Sequence, residues 1–178
     1  MRYPLFLDLT GQPVVVIGAG NVATRKIRTL LAAGACVKVV SPAASSAIRQ
    51  LARTNRVHWR RGRYRRGDLR GARLVIAATD SLETNALVCA EAKHRGLLVN
   101  CIAPPAAGNF IVPSLVRRGG ILLAISTGGA SPAFAKQLRR DLERFLGDGY
   151  PARLRQMAKQ RLARVNGVGR WSRRSKLR

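Results

Sequence analysis

The chain is short of acid. Eight Asp and Glu residues stand against 33 Lys and Arg in 178 residues, for a formal net charge of +25 at pH 7. An excess of that size implies an anionic partner: nucleic acid, acidic lipid or a polycarboxylate metabolite. Histidine is scarcer still. His58 and His94 are far apart in sequence and make no metal site, so no metal is expected. The cysteines Cys36, Cys89 and Cys101 are odd in number and form no C-x-x-C pair. They read as reduced, buried thiols of a cytoplasmic protein rather than a disulfide framework. Aromatic residues are few, and Trp59, Tyr64 and Trp171 are scattered rather than interleaved with the basic positions. A base-stacking surface is therefore not expected, and nucleic acid ranks low among partners. No apolar run reaches membrane-spanning length. The start, Met1-Arg2-Tyr3-Pro4, does not read as a signal peptide. The expected compartment is the cytoplasm, with no membrane partner.

Short apolar runs alternating with helical patterns are what the chain does contain. Pro13-Val14-Val15-Val16-Ile17 reads as a buried strand. Gly18-Ala19-Gly20-Asn21-Val22-Ala23 follows as a G-x-G-x-x-A turn opening a helix over 22–33. In a strand–turn–helix context this is a phosphate-binding turn. Gly18 permits the turn, Gly20 lets a pyrophosphate approach the backbone, and Ala23 lets the helix pack on the sheet. The helix N-terminus, at Asn21 and Val22, offers N–H groups to the anion. Arg25 and Lys26 follow one turn later. They are candidates for an acidic substrate, with an exposed helix face as the plain alternative.

Further strands are expected at 36–40, 57–60, 73–78 and 97–101, and helices at 43–53 and 82–94. Residues 60–70 read as a basic loop. The alternation predicts a Rossmann-like, doubly wound parallel α/β sheet. Its ligand crevice lies beyond the carboxyl ends of the strands. Ser41, Thr79, Asp80 and Asn100 fall at or near such ends. After residue 103 the pattern changes. Two strands are expected at 110–116 and 121–126, with Pro113 confining the first to an edge or bulge. Ser126-Thr127-Gly128-Gly129 leads to Ser131-Pro132, read as the cap of a helix over 133–146 and as a loop that can hold an anion. Residues 150–165 read as an amphipathic helix with Leu154, Met157, Leu162 and Val165 on one side, Met157 serving the core. From Pro151 to Arg178 there are ten basic residues and no acidic ones. The stretch from Asn166 onward reads as disordered.

These blocks together resemble the siroheme synthase N-terminal domain family, the precorrin-2 dehydrogenases, some of which also insert ferrous iron. The blocks are Tyr3-Pro4-Leu5-Phe6-Leu7-Asp8-Leu9, Val14 to Lys26, Val75 to Asp80 with Asn85, Val99-Asn100, Phe110 to Ser114, and Ser126 to Pro132. The resemblance covers roughly the first 145 residues. It implies a Rossmann domain over 1–110, a small α+β dimerisation domain over 111–147, a basic helical segment over 148–178, and a homodimer. It implies NAD as cofactor, held by Gly18, Gly20, Asn21, Val22, Ser41, Thr79, Asp80 and Asn85. It implies a tetrapyrrole polycarboxylate as substrate, met by Arg25, Lys26, Asn100, Ser126, Thr127, Gly128 and Gly129. The reaction implied is oxidation of precorrin-2 to sirohydrochlorin.

Two positions depart from the family pattern. The strand that ends at Val99-Asn100 runs on into an aspartate in the family, and here that position is Ala103. Asp80 is then the remaining carboxylate at a strand's carboxyl end and the candidate base, with helix capping as its alternative. At the end of the second strand, Ser41-Pro42-Ala43 lacks the acid that often holds a ribose. The alternative reading is a non-catalytic dinucleotide- or tetrapyrrole-binding protein of the same pathway.

Overall fold

In the computed structural model, which describes residues 2–174, the chain divides into two compact units, Met1–Val112 and Pro113–Arg178. The first contains strands β1 (Pro13–Ile17), β2 (Cys36–Ser41), β3 (His58–Arg61), β4 (Leu74–Ala77) and β5 (Leu98–Cys101). They pair in the order β3-β2-β1-β4-β5, and every pairing is parallel. Helices α1 (Asn21–Ala32), α2 (Ser46–Arg53) and α3 (Leu82–His94) connect them. Alternation along each strand divides the core. Val14, Val16, Val37, Val39 and Ile76 pack with Ala23, Ile27 and Ile48 of α1 and α2. Val15, Ile17, Val40, Val75 and Val99 pack with Val88, Cys89 and Ala92 of α3. A sheet buried on both faces explains why its central strands are unbroken runs of Val, Ile, Leu and Ala.

Local hydrogen bonding corrects several expected boundaries. α2 begins at Ser46 rather than at residue 43. The Ser45 hydroxyl accepts from Ile48 N at 3.3 Å, and Arg49 Nη1 donates to Ala44 O at 2.7 Å, which holds the preceding residues as a loop. Phe110 does not open a strand. Its N–H donates to Val99 O and its carbonyl accepts from Asn100 Nδ2 at 3.1 Å, so it is folded back on β5. Pro113 has no N–H for a ladder.

In the second unit, β6 (Ser114–Arg118) and β7 (Ile121–Ile125) form an antiparallel hairpin. Its two-residue loop is Gly119-Gly120, with Gly119 at φ +57°. Helices α4 (Pro132–Leu146) and α5 (Gly149–Arg174) follow. Ser131 caps α4 as expected, accepting from Phe134 N at 3.1 Å. α5 runs to Arg174; the stretch from Asn166 that reads as disordered coincides with its last turns and, for residues 175–178, lies outside the described residues. Leu154, Met157 and Leu162 are exposed, so Met157 is not a core residue of this chain. Cys36 is also exposed, whereas Cys89 and Cys101 are buried. Among the described residues no helix is long and apolar enough to cross a membrane.

Candidate functional site: the carboxyl edge of the parallel sheet

The glycine turn leaves β1 at Ile17 and is locked between its two neighbour strands. Gly18 N donates to Val40 O at 2.9 Å, and Ala78 N donates to Ile17 O at 2.8 Å. Gly18 has φ +107°, and a Cβ there would lie 2.2 Å from Ala78 O. Gly20 is the opposite case. A Cβ there would meet nothing within 4 Å, so the backbone faces open space.

Gly20 is also the N-cap of α1. It supplies no side-chain cap, and the first turn carries no acid. Thr24 N makes the first intrahelical bond, to Gly20 O at 2.9 Å, so the N–H groups before it point outward unpaired. Together with the helix dipole they form a cradle for a pyrophosphate. A nicotinamide dinucleotide fits this chain on that ground: the space, the donors and the positive helix end coincide.

Two side chains that sequence spacing did not single out hold the turn. Thr24 Oγ1 donates to Gly20 O at 2.9 Å and lies 3.0 Å from Ser45 Oγ. Ser45 N donates to Ala19 O at 3.1 Å. The start of α2 is thereby tied to the phosphate turn. Threonine and serine separated by some twenty residues carry no motif, so only the fold reveals them.

At the end of β4 the structure reassigns two expected residues. Asn85 is fully buried. Its Oδ1 accepts from Thr79 N and Thr79 Oγ1, at 3.1 and 2.8 Å. Its Nδ2 donates to Thr79 O and to Ala103 O, each at 3.1 Å. Asn85 therefore has no free atom for a cofactor. It is a positioning residue that clamps the ends of β4 and β5 to each other. Thr79 is spent in the same network, its hydroxyl also donating to Ser81 O at 3.0 Å. The cap of α3 is Ser81, which accepts from Thr84 N at 3.1 Å. Asp80 is relieved of capping and is exposed beside the crevice.

Ala103 ends the β5 turn with its carbonyl held by Asn85 Nδ2 and by Cys101 Sγ, the latter at 3.3 Å. Its side chain is a methyl group, which can neither take a proton nor bind a metal ion. Asn100 is buried, and its Oδ1 has no hydrogen-bond partner among the described residues. Such an atom is costly to leave unpaired. Neighbouring Cys101 hydrogen-bonds the Cys89 thiol, whose pKa is pushed up to about 12, first by burial and then by that contact. The Cys89 thiol is therefore inert at neutral pH. On α1, Arg25 is exposed and Lys26 half-buried. Burial, and then the Arg25 charge, lower the Lys26 pKa.

The basic loop after β3 is more ordered than its composition suggests. Asp68 is 8% exposed and accepts from Arg60 Nε at 2.9 Å and Arg65 N at 2.8 Å, with Lys38 Nζ at 3.5 Å. Burial alone would raise its pKa. The Arg60 and Arg65 hydrogen bonds and the Arg60 and Lys38 charges outweigh burial and lower it. A lowered carboxyl stabilises the fold fully above the ordinary carboxylate range, and the gain is lost as pH falls through the lower folded value. Asp68→Asn is expected to cost about 3 kcal/mol in urea unfolding at neutral pH. The gap between variant and parent should narrow below about pH 3. An equal gap at both pH values would show that the carboxylate charge is not the source.

In the second unit, Ser126 to Gly129 form a tight turn before α4. Gly128 N donates to Ser126 Oγ at 3.2 Å, and Ser131 N donates to Thr127 Oγ1 at 3.3 Å. Both hydroxyls thus shape the loop. That unit also holds an open cleft of about 680 Å³, lined by Arg117, Arg118, Gln137, Arg140, Glu143 and Arg144 together with Gly147. Four guanidinium groups meet one carboxylate there, and Arg139 pairs with it at 2.5 Å. Sequence reading missed this cleft because its arginines come from a strand end and from one face of a helix. Among the described residues no three His, Cys, Asp or Glu side chains come together.

Comparison with known proteins agrees with this geometry. Residues 5–114 match the family described as "Putative NAD(P)-binding". Residues 118–144 match "Sirohaem biosynthesis protein central". The structure of SirC, a precorrin-2 dehydrogenase, superposes with a TM-score of 0.80 and 32% identity over 90% of this chain and 79% of that one. This chain belongs to the siroheme synthase N-terminal domain family. Siroheme synthase of Chromobacterium violaceum is 39% identical over 83% of this chain and 32% of its own length. Siroheme synthase 1 of Serratia proteamaculans is 38% identical over 93% of this chain and 36% of its own. The chain thus spans about a third of the length of these curated relatives. Within the family, residues 5–114 are the dinucleotide-binding part.

Proposed function

We propose that the chain oxidises precorrin-2 to sirohydrochlorin with NAD⁺. The observation that carries this reading is the uncapped start of α1, set over the Gly18 turn in a chain that superposes on a precorrin-2 dehydrogenase over most of its length. When bound, NAD⁺ supplies the hydride acceptor. The N–H groups at Asn21 and Val22 take the pyrophosphate, with Gly20 leaving room for it. Asn85 does not touch the cofactor. It fixes the two strand ends between which nicotinamide and macrocycle meet. Asp80 takes the proton that leaves with the hydride, being the carboxylate at a strand's carboxyl end that no cap consumes. Arg25 and Lys26 supply positive charge for the substrate carboxylates.

Ala103 offers no carboxylate to bind iron or accept a proton, and the reading therefore stops at dehydrogenation. A homodimer is part of the proposal. It is supported by the exposed apolar side chains Phe134, Phe145 and Leu162 of the second unit. A cytoplasmic location is supported by the free thiols. The alternative, a binder without catalysis, is favoured by Ala103 alone. Anaerobic incubation of the protein with precorrin-2 and NAD⁺ separates them. Sirohydrochlorin absorbance and NADH should rise together. NAD⁺ binding without either product would establish the binder instead.

A further inference from the structure

The end of β2 bears on which dinucleotide the crevice accepts. No Asp or Glu occurs between Asp8 and Asp68, so α1, β2, α2 and β3 are free of acid. The carboxylate that commonly grips the ribose hydroxyls, and repels a 2′-phosphate, is therefore missing from Ser41 and from the loop after it. Arginines flank that strand end instead. Arg61 pairs directly with Ser41 in the β2–β3 register. The two strand ends are tied, since Gly62 N and Trp59 Nε1 both donate to Ser41 O at 3.1 Å.

Alternation then decides which arginine is free. Trp59 packs against the α1–α2 side of the sheet. Arg61, two residues on, shares that side. Arg60 lies on the other and is committed to Asp68. Arg61 is exposed and has no ion-pair partner among the described residues. Arg49 reaches the same loop. Its Nη1 donates to Ala44 O, which leaves the rest of its planar fork for a ligand.

We infer that Arg61, supported by Arg49, is a 2′-phosphate site, and that NADP⁺ binds this chain at least as tightly as NAD⁺. The inference rests on the dinucleotide reading above and specifies it further. Arg61 is a specificity residue, since it acts on the phosphate that distinguishes the two cofactors.

Titration calorimetry of the full chain with NAD⁺ and with NADP⁺ tests it. The parent should bind NADP⁺ with equal or higher affinity, and added salt should weaken NADP⁺ more than NAD⁺. Arg61→Gln should weaken NADP⁺ by about tenfold or more while NAD⁺ changes by less than about twofold. Ala43→Asp, at an exposed loop position, should restore discrimination by repelling NADP⁺. NAD⁺ binding about tenfold tighter than NADP⁺ in the parent would overturn the inference and leave the dinucleotide reading standing. Equal losses of both cofactors in Arg61→Gln would also overturn it. Failure of the parent to bind either cofactor removes the dinucleotide reading and this inference with it.

Discussion

Gly18→Ala should destabilise the first unit by about 3–5 kcal/mol and, in whatever fraction folds, abolish measurable dinucleotide binding. The added methyl would sit 2.2 Å from Ala78 O and 2.7 Å from Ala78 C. Those atoms are backbone and cannot rotate away. The residue would also have to hold φ +107°, which costs a non-glycine residue further. Relief requires β1 and β4 to separate at their carboxyl ends. The Ala78 N to Ile17 O bond would then break. Gly20→Ala is the control. Its φ is −78° and its Cβ would point into open space, so stability should stay within about 0.5 kcal/mol of the parent. Affinity for NAD⁺ should nonetheless fall by about tenfold or more, because the methyl enters the volume that the pyrophosphate needs. Thermal unfolding and NAD⁺ titration of the two variants separate the roles. Gly20→Ala binding normally would show that the phosphate does not pass over this turn.

The sequence legibly encoded the sheet because four of its strands are largely buried, the polar edge strand His58–Arg61 being the exception. Four mainly apolar runs, punctuated by Gly and Pro, admit little but a parallel doubly wound arrangement. The phosphate turn was legible for the same reason: a strand, two glycines and a helix start are local features. What fixes that turn was not legible. Thr24 and Ser45 meet only after α1 and β2 have folded. Asn85 was visible as a family residue, but its job was not. A buried amide at the start of a helix reads as a ligand contact until its four internal bonds are seen. Misplacement of the first hairpin strand has a similar origin. Phe110 to Val112 have strand-like side chains, yet the side-chain amide of Asn100 captures the Phe110 carbonyl. In the second unit, helical spacing reads Leu154, Met157, Leu162 and Val165 as one apolar side. Spacing does not say what covers such a set, and in the single chain Leu154, Met157 and Leu162 are exposed.

Asp80→Asn should lower kcat/KM for precorrin-2 oxidation by about a hundredfold or more, with the NAD⁺ dissociation constant within about twofold of the parent. Amide replaces carboxylate at nearly constant size. Since Ser81 already caps α3, the helix start should survive the change. A fall in activity then reports loss of the proton acceptor and not of the fold. Ala103→Asp supplies the complementary arm. Ala103 is half-exposed at the end of β5, and its carbonyl, rather than its methyl, carries the bonds from Asn85 and Cys101. A carboxylate can therefore be introduced there without dismantling the clamp. In the Asp80→Asn background, Ala103→Asp should recover about tenfold or more of the lost rate, because either strand end can present a base to the same crevice. In the parent background the gain should be smaller, since one base already serves. Full activity in Asp80→Asn would remove Asp80 from the mechanism. A large gain from Ala103→Asp in the parent would then show that the proton transfer in this chain was limited by the carboxylate it lacks.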